Sequence, residues 1–180
     1  MRTIAVNVSV FLIISVALVP HSFGQYSGIE KHRRHERSID ERLAHLEALD
    51  FYVLVHRDWN RLSQSHAKNV VVHWPDGRRT KGLNHHIEDL KPLFVHAPDT
   101  RIRSHPVKFS STDWTCFIAE IEGTFTRPMR TSDGRGIPPT GKHFKITMCT
   151  VGHWNKRGFI DEEYLFWDNQ SYMRQLGVTK

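Results

Sequence analysis

Apolar residues recur first at helical spacing and later in alternation along this chain. Ile39, Leu43, Leu46 and Val53 share one helical face, which predicts an amphipathic helix from Ile39 into the mid-fifties. Ser38-Ile-Asp-Glu41 reads as the capping box that starts it, with Ser38 as N-cap and Glu41 reaching back. Asp58 is placed to cap a short second helix over Trp59–Ser65. Asn69–Trp74 is a strand by composition, closed by the turn residues Pro75-Asp76-Gly77. Leu83, Ile87, Leu90 and Phe94 form the stripe of a further helix from Gly82 to Val95, which Pro92 is expected to kink or shorten.

Strand-type runs then take over: Arg101–Ser110, Trp114–Thr126, Lys142–Trp154 and Phe159–Trp167. The last two flank the turn Asn155–Gly158, a hairpin signal. The stretch 127–140 is rich in Gly, Pro, Ser and Asp and is expected to be a mobile loop. A final helix ends near Leu176, with Gly177 at its C′ position. Helices first and strands afterwards predict an α+β fold. The expected architecture is a single domain over 38–180, a cone-shaped, curved antiparallel sheet wrapped by N-terminal helices.

Two N-terminal stretches stand outside this pattern. Residues 1–24 read as a signal peptide: a basic start at Arg2, an apolar run from Ile4 to Val19, a break at Pro20 and small residues up to Gly24. Secretion follows as the expected localisation, extracellular or, in a bacterium, periplasmic. The run is short for a membrane span and no other follows it, so stable membrane insertion is not expected. Residues 25–37 read as a basic flexible arm. The formal charge of +6 comes from scattered residues without an aromatic-interleaved stripe, so no nucleic-acid partner is expected. Secretion permits a disulfide between the only two cysteines, Cys116 and Cys149, with buried free thiols as the alternative. Asn169-Gln170-Ser171 is an N-glycosylation sequon for a eukaryotic host.

The candidate chemistry centres on Asp168, at the exit of the last strand. It shares parity with Tyr164 and Phe166, so all three point to one face of the sheet. An acid beside aromatic rings in a pocket is a candidate general base, because desolvation raises its pKa towards working pH. The competing role is local: Asp168 stands where it can cap the last helix. Glu162 shares its parity and Glu163 does not, so at most one of them enters the pocket. His73 and His105 are candidates to hold a carbonyl or relay a proton, and Trp74, Tyr164, Phe166 and Glu162 are candidates to contact the substrate. Gly136–His143 nearly spells a phosphate loop but lacks its Ser/Thr and is followed by a strand. No histidine or cysteine spacing matches a known metal motif, so neither metal nor cofactor is expected. A serine elbow of the GxSxG type is also missing.

The C-terminal third carries a resemblance. Gly141-Lys142, Trp154, Gly158, Ile160, Glu162-Glu163, Trp167-Asp168 and Gln175-Leu176-Gly177 occur in an order that resembles the SnoaL-like polyketide cyclase family. This family is also called ester cyclase and belongs to the nuclear-transport-factor-two-like superfamily. Upstream, Val70–Pro75, the helix opening at Gly82 and Gly123-Thr124-Phe125 extend the resemblance over about Leu49 to Val178. It implies a cone around an apolar cavity and cyclisation by an intramolecular aldol step without metal or organic cofactor. It also implies an aspartate base, to which Asp168 corresponds by position. The expected function is that of a secreted protein with a pocket for a small apolar or carbonyl-containing ligand, acting as a cyclase or isomerase. A non-catalytic ligand-binding or extracellular-matrix protein on the same fold is the alternative. The fold also admits a homodimer.

Overall fold

The computed structural model describes residues 23–130, 134 and 136–179. The leader expected over 1–24 lies almost wholly outside them. The chain divides into two units, Met1–Arg34 and His35–Lys180, and the second carries every strand described.

Helix α1 spans Phe23–His56. The segment 25–37, expected as a flexible arm, is therefore helical, and Ser38 stands inside the helix instead of capping it. The basic segment contains no proline and a single glycine, Gly28, so nothing in it ends a helix. A 3-10 turn, Trp59–Gln64, leads into β1, His66–His73. Asp58 precedes that turn without a capping hydrogen bond and accepts one from Arg61 Nε at 3.2 Å. A tight turn at Pro75–Gly77 returns the chain as β2, Arg79–Lys81. Helix α2, Leu83–His96, runs through Pro92 unbroken.

The remaining strands are β3 (Arg101–Ser111), β4 (Trp114–Thr124), β5 (Met129–Arg130), β6 (Gly136–Ile137), β7 (His143–Trp154) and β8 (Ile160–Trp167), and α3 (Asn169–Gln175) ends the fold. Strands β5 and β6 pair as a short ribbon inside the expected 127–140 loop. The β7–β8 turn is built as its composition predicts. Asn155 Oδ1 accepts from the amides of Arg157 and Phe159, and Gly158 takes φ +79°.

Six strands form one curved sheet in the order β2-β1-β8-β7-β4-β3. The pairing is antiparallel except for β1 with β8, which run parallel, so the all-antiparallel expectation is corrected. The last strand returns beside the first, and the intervening chain makes that crossover. One face of the sheet is packed against the helices. It presents Val72, Phe117, Ala119, Ile121, Phe144 and Leu165, all buried. From α1 it is met by Leu46 and Phe51, and from α2 by Leu83, Leu90 and Leu93. Among the described residues, no helix is long and apolar enough to cross a membrane.

Candidate functional site

The packed face decides which parity of β8 turns inward. Glu163 and Leu165 are buried, and Trp167 packs against the core. Glu162, Tyr164, Phe166 and Asp168 have the other parity and look outward. Phe166 is 53% exposed, and the Asp168 carboxylate is exposed and accepts from Ser171 N at 2.9 Å as the N-cap of α3. The expectation that these four residues line the pocket is therefore corrected. Alternation sets parity along a strand, but the partner that packs on it sets which parity faces in.

His73 belongs to the same outer face. Its Nε2 lies 2.8 Å from Glu162 Oε1, and its ring stacks on Tyr164 at 4.1 Å; the Tyr164 hydroxyl donates to Glu162. His105 is interior and is held against α1. Its ring contacts Phe51 and Phe117 and lies 3.5 Å from Glu47 and 3.8 Å from Asp50. Trp74 does line the inner cleft, with its Nε1 donating to Thr80 Oγ1. Cys116 and Cys149 lie on adjacent strands as free thiols, with their sulfurs 3.7 Å apart. Asn169 is the first residue of α3 and borders the cleft.

That cleft encloses about 180 Å³ between α2, α3 and the inner face of the sheet. Trp74 and Trp167 meet edge to face at 6.4 Å on one wall, with Leu90, Leu93, Ile146 and Met148 completing an apolar lining. Its polar groups are few. Arg78 and Asp89 pair with each other at 3.3 Å, while His96 and Tyr172 are bonded Nε2 to Oη at 2.5 Å. Both members of the second pair are buried. Desolvation holds the His96 pKa below its usual range, so its imidazole is neutral at pH 7. In the tautomer with its proton on Nδ1, Nε2 carries the lone pair and the Tyr172 hydroxyl donates to it. Burial pushes the Tyr172 phenol well above its ordinary value.

A second group of titratable side chains lies deeper and is closed off. His66 from β1, His86 from α2 and Glu163 from β8 have side chains only 3%, 3% and 6% exposed. Glu163 Oε1 is 3.5 Å from His66 Nε2, and Oε2 is 3.2 Å from His86 Nε2. Burial opposes the charge on His66 and on Glu163, yet the hydrogen bond and charge of Glu163 outweigh it at His66, and His86 and then His66 outweigh it at Glu163. The His66 pKa is raised and that of Glu163 lowered. Desolvation lowers His86. Asp50 on α1 belongs to the same surroundings. Burial, then the Glu163 charge, push its pKa up to about 7. The His86 ring touches Trp74 at 5.8 Å, so this group lies behind one wall of the cleft.

Neither His96–Tyr172 nor the deeper group is singled out by the sequence, although a common signal marks their helical members Asp50, His86, His96 and Tyr172. Asp50 follows Leu43 and Leu46 on the stripe of α1, and His86 lies between Leu83 and Leu90 on that of α2. His96 follows Leu93 by three positions, and Tyr172 precedes Leu176 by four. Each is a polar residue in an apolar stripe.

Solved structures share the architecture. A candidate SnoaL-like polyketide cyclase from Jannaschia sp. CCS1 superposes with a TM-score of 0.68 at 14% identity, covering 79% of this chain and 95% of its own. IdmH, a candidate polyketide cyclase from Streptomyces antibioticus, gives 0.62 at 21% identity, covering 75% and 98%. A SnoaL-like polyketide cyclase from Agrobacterium tumefaciens gives 0.58 at 19% identity, covering 75% and 98%. No curated protein matches the chain in sequence. The sequence model of SnoaL-like polyketide cyclases matches residues 46–176, well over half of the chain, and this protein belongs to that family.

Proposed function

We propose that this protein is an exported acid–base catalyst of the cyclase or isomerase type, acting on a small apolar carbonyl compound held in the cleft. One observation carries this: the neutral His96 imidazole, bonded to Tyr172, in the wall of a tryptophan-lined, mostly apolar cavity. Family membership supports the reaction class. The Ile4–Val19 run supports export.

A carbon next to a carbonyl gives up its proton to the Tyr172 oxygen while the tyrosine's own proton passes to His96 Nε2. The resulting enolate either regains a proton elsewhere, which is isomerisation, or attacks a second carbonyl of the same molecule, which is aldol closure. Reversal of the Tyr172–His96 transfer returns the proton. Asn169 and Arg78 contribute donors to the cleft wall. A volume of about 180 Å³ favours compact ligands, since pockets for drug-sized molecules start at roughly 300 Å³.

Deuterium uptake at the acidic carbon of compact 1,3-dicarbonyl compounds, followed by proton NMR in D2O, tests the proposal. Wild-type protein should accelerate exchange over buffer. His96→Gln and Tyr172→Phe should lower the rate by roughly 10²–10⁴-fold. Exchange no faster than in buffer, or variants as fast as wild type, would overturn it.

A further inference from the structure

The closed group behind the cleft has no part in that proton transfer, and its geometry is that of a ligand set. We propose that His66, His86 and Glu163 bind one divalent first-row transition metal ion of the zinc type. The three ligand atoms lie within 4.8 Å of one another. His86 Nε2 lies 3.2 Å from Glu163 Oε2, and His66 Nε2 lies 3.5 Å from the other carboxylate oxygen, Oε1. Bonds of about 2.0–2.2 Å in a tetrahedral zinc shell place neighbouring ligand atoms about 3.3–3.6 Å apart. Among the described residues, six buried side-chain atoms have no hydrogen-bond partner: both ring nitrogens of His105 and Ser110 Oγ elsewhere, and His66 Nε2, His86 Nδ1 and Glu163 Oε2 in this group. A cation between the side chains satisfies His66 Nε2 and Glu163 Oε2.

The surroundings of His66 fit the same role. Its Nδ1 is 2.8 Å from Ser65 Oγ, and that buried hydroxyl in turn donates to Leu62 O. A ring oriented through Nδ1 presents Nε2 outward as a ligand, which is how metal-binding histidines are held. Two imidazoles and one carboxylate suit zinc and its neighbours in the series better than calcium or magnesium, which take oxygen ligands. Closure of the site from solvent matches a structural ion more than a catalytic one.

Cobalt(II) titration of the full chain, stripped with chelator, tests the site. One equivalent should bind and produce the visible absorption of a low-symmetry nitrogen–oxygen site. Glu163→Gln and His86→Gln should weaken binding by more than the roughly 10–100-fold that loss of an outer-shell partner costs. His73→Gln and His153→Gln, on the outer face, should bind as wild type does. A second measurement requires no variant to fold: on adding Zn²⁺ to wild type, the side-chain nitrogen resonances of His66 and His86 should shift. No saturable equivalent, or shifts confined to other histidines, would overturn the proposal and leave a proton as what joins His66 to Glu163. Binding is read without turnover, so the metal site and the His96–Tyr172 chemistry can each fail alone.

Discussion

Asp168 shows how far a single residue's surroundings decide its role. Its carboxylate is exposed and bonded to the Ser171 amide, so it stabilises the start of α3. Asp168→Asn should leave melting nearly unchanged, because Asn caps helices about as well as Asp. Asp168→Ala should cost about 1 kcal/mol. Neither variant should slow deuterium exchange, in contrast to His96→Gln, and thermal melts run beside the NMR assay check both statements. Cys116 is a second case. Burial, then the neighbouring Cys149, push its thiol up to about 11. Reactivity follows the thiolate. Cys116 should therefore resist alkylation at neutral pH in the native protein, and rapid native-state labelling at that position, read by peptide mass, would contradict this.

Among the elements, β4 and β7 carry the sheet, paired from Trp114–His153 to Thr124–His143. Their close approach near the cone's end depends on Gly123. A Cβ there would lie 2.8 Å from Thr100 Oγ1 and 2.9 Å from the Phe144 ring. Phe144 is fully buried and packs edge to face on Tyr172 at 4.9 Å, so it cannot yield without disturbing the cleft wall. Gly123→Ala should therefore destabilise by about 1–3 kcal/mol, as overpacking does. Chemical denaturation should show a lower midpoint with an unchanged slope.

The pH response belongs to the whole molecule, because buried groups pull in opposite directions. Desolvation depresses His96, so the folded protein refuses a proton that the unfolded chain accepts. Its contribution to stability is complete above pH 6.5 and is lost as pH falls towards the lowered folded value. Asp50 acts the other way. Its folded pKa of about 7 lies above that of an ordinary aspartate, so its contribution is present at low pH and lost as pH rises through 7. Between pH 7 and 5, wild type should lose more stability than His96→Gln, by up to about 1.4 kcal/mol per pH unit. Melts of both proteins across that range, with chelator present, measure the difference. The proposed export is also read on the whole chain: it predicts a secreted form that begins at Gln25, which intact-mass measurement checks.

Local chemistry was enough to place most elements. The stripe of α2, the alternation of β3, β4, β7 and β8, the Asn155–Gly158 turn and the Gly177 stop are short-range signals, and each is recovered within a few residues. Their order established the α+β class, and the C-terminal motifs established the family. The start of α1 was not legible, because a capping sequence only offers a start and the basic residues before Ser38 are equally able to be helical. Three further matters were decided by tertiary structure alone. Strand β1 lies parallel beside β8, across nearly the whole length of the fold, and no local pattern specifies such a partner. The inward parity of β8 followed from the helices that pack on Leu165, which turned Glu163 in and Asp168 out. His66, His86 and Glu163, like His96 and Tyr172, come from elements far apart in sequence. Their spacing along the chain says nothing of ligand geometry, which exists only once sheet and helices close on one another.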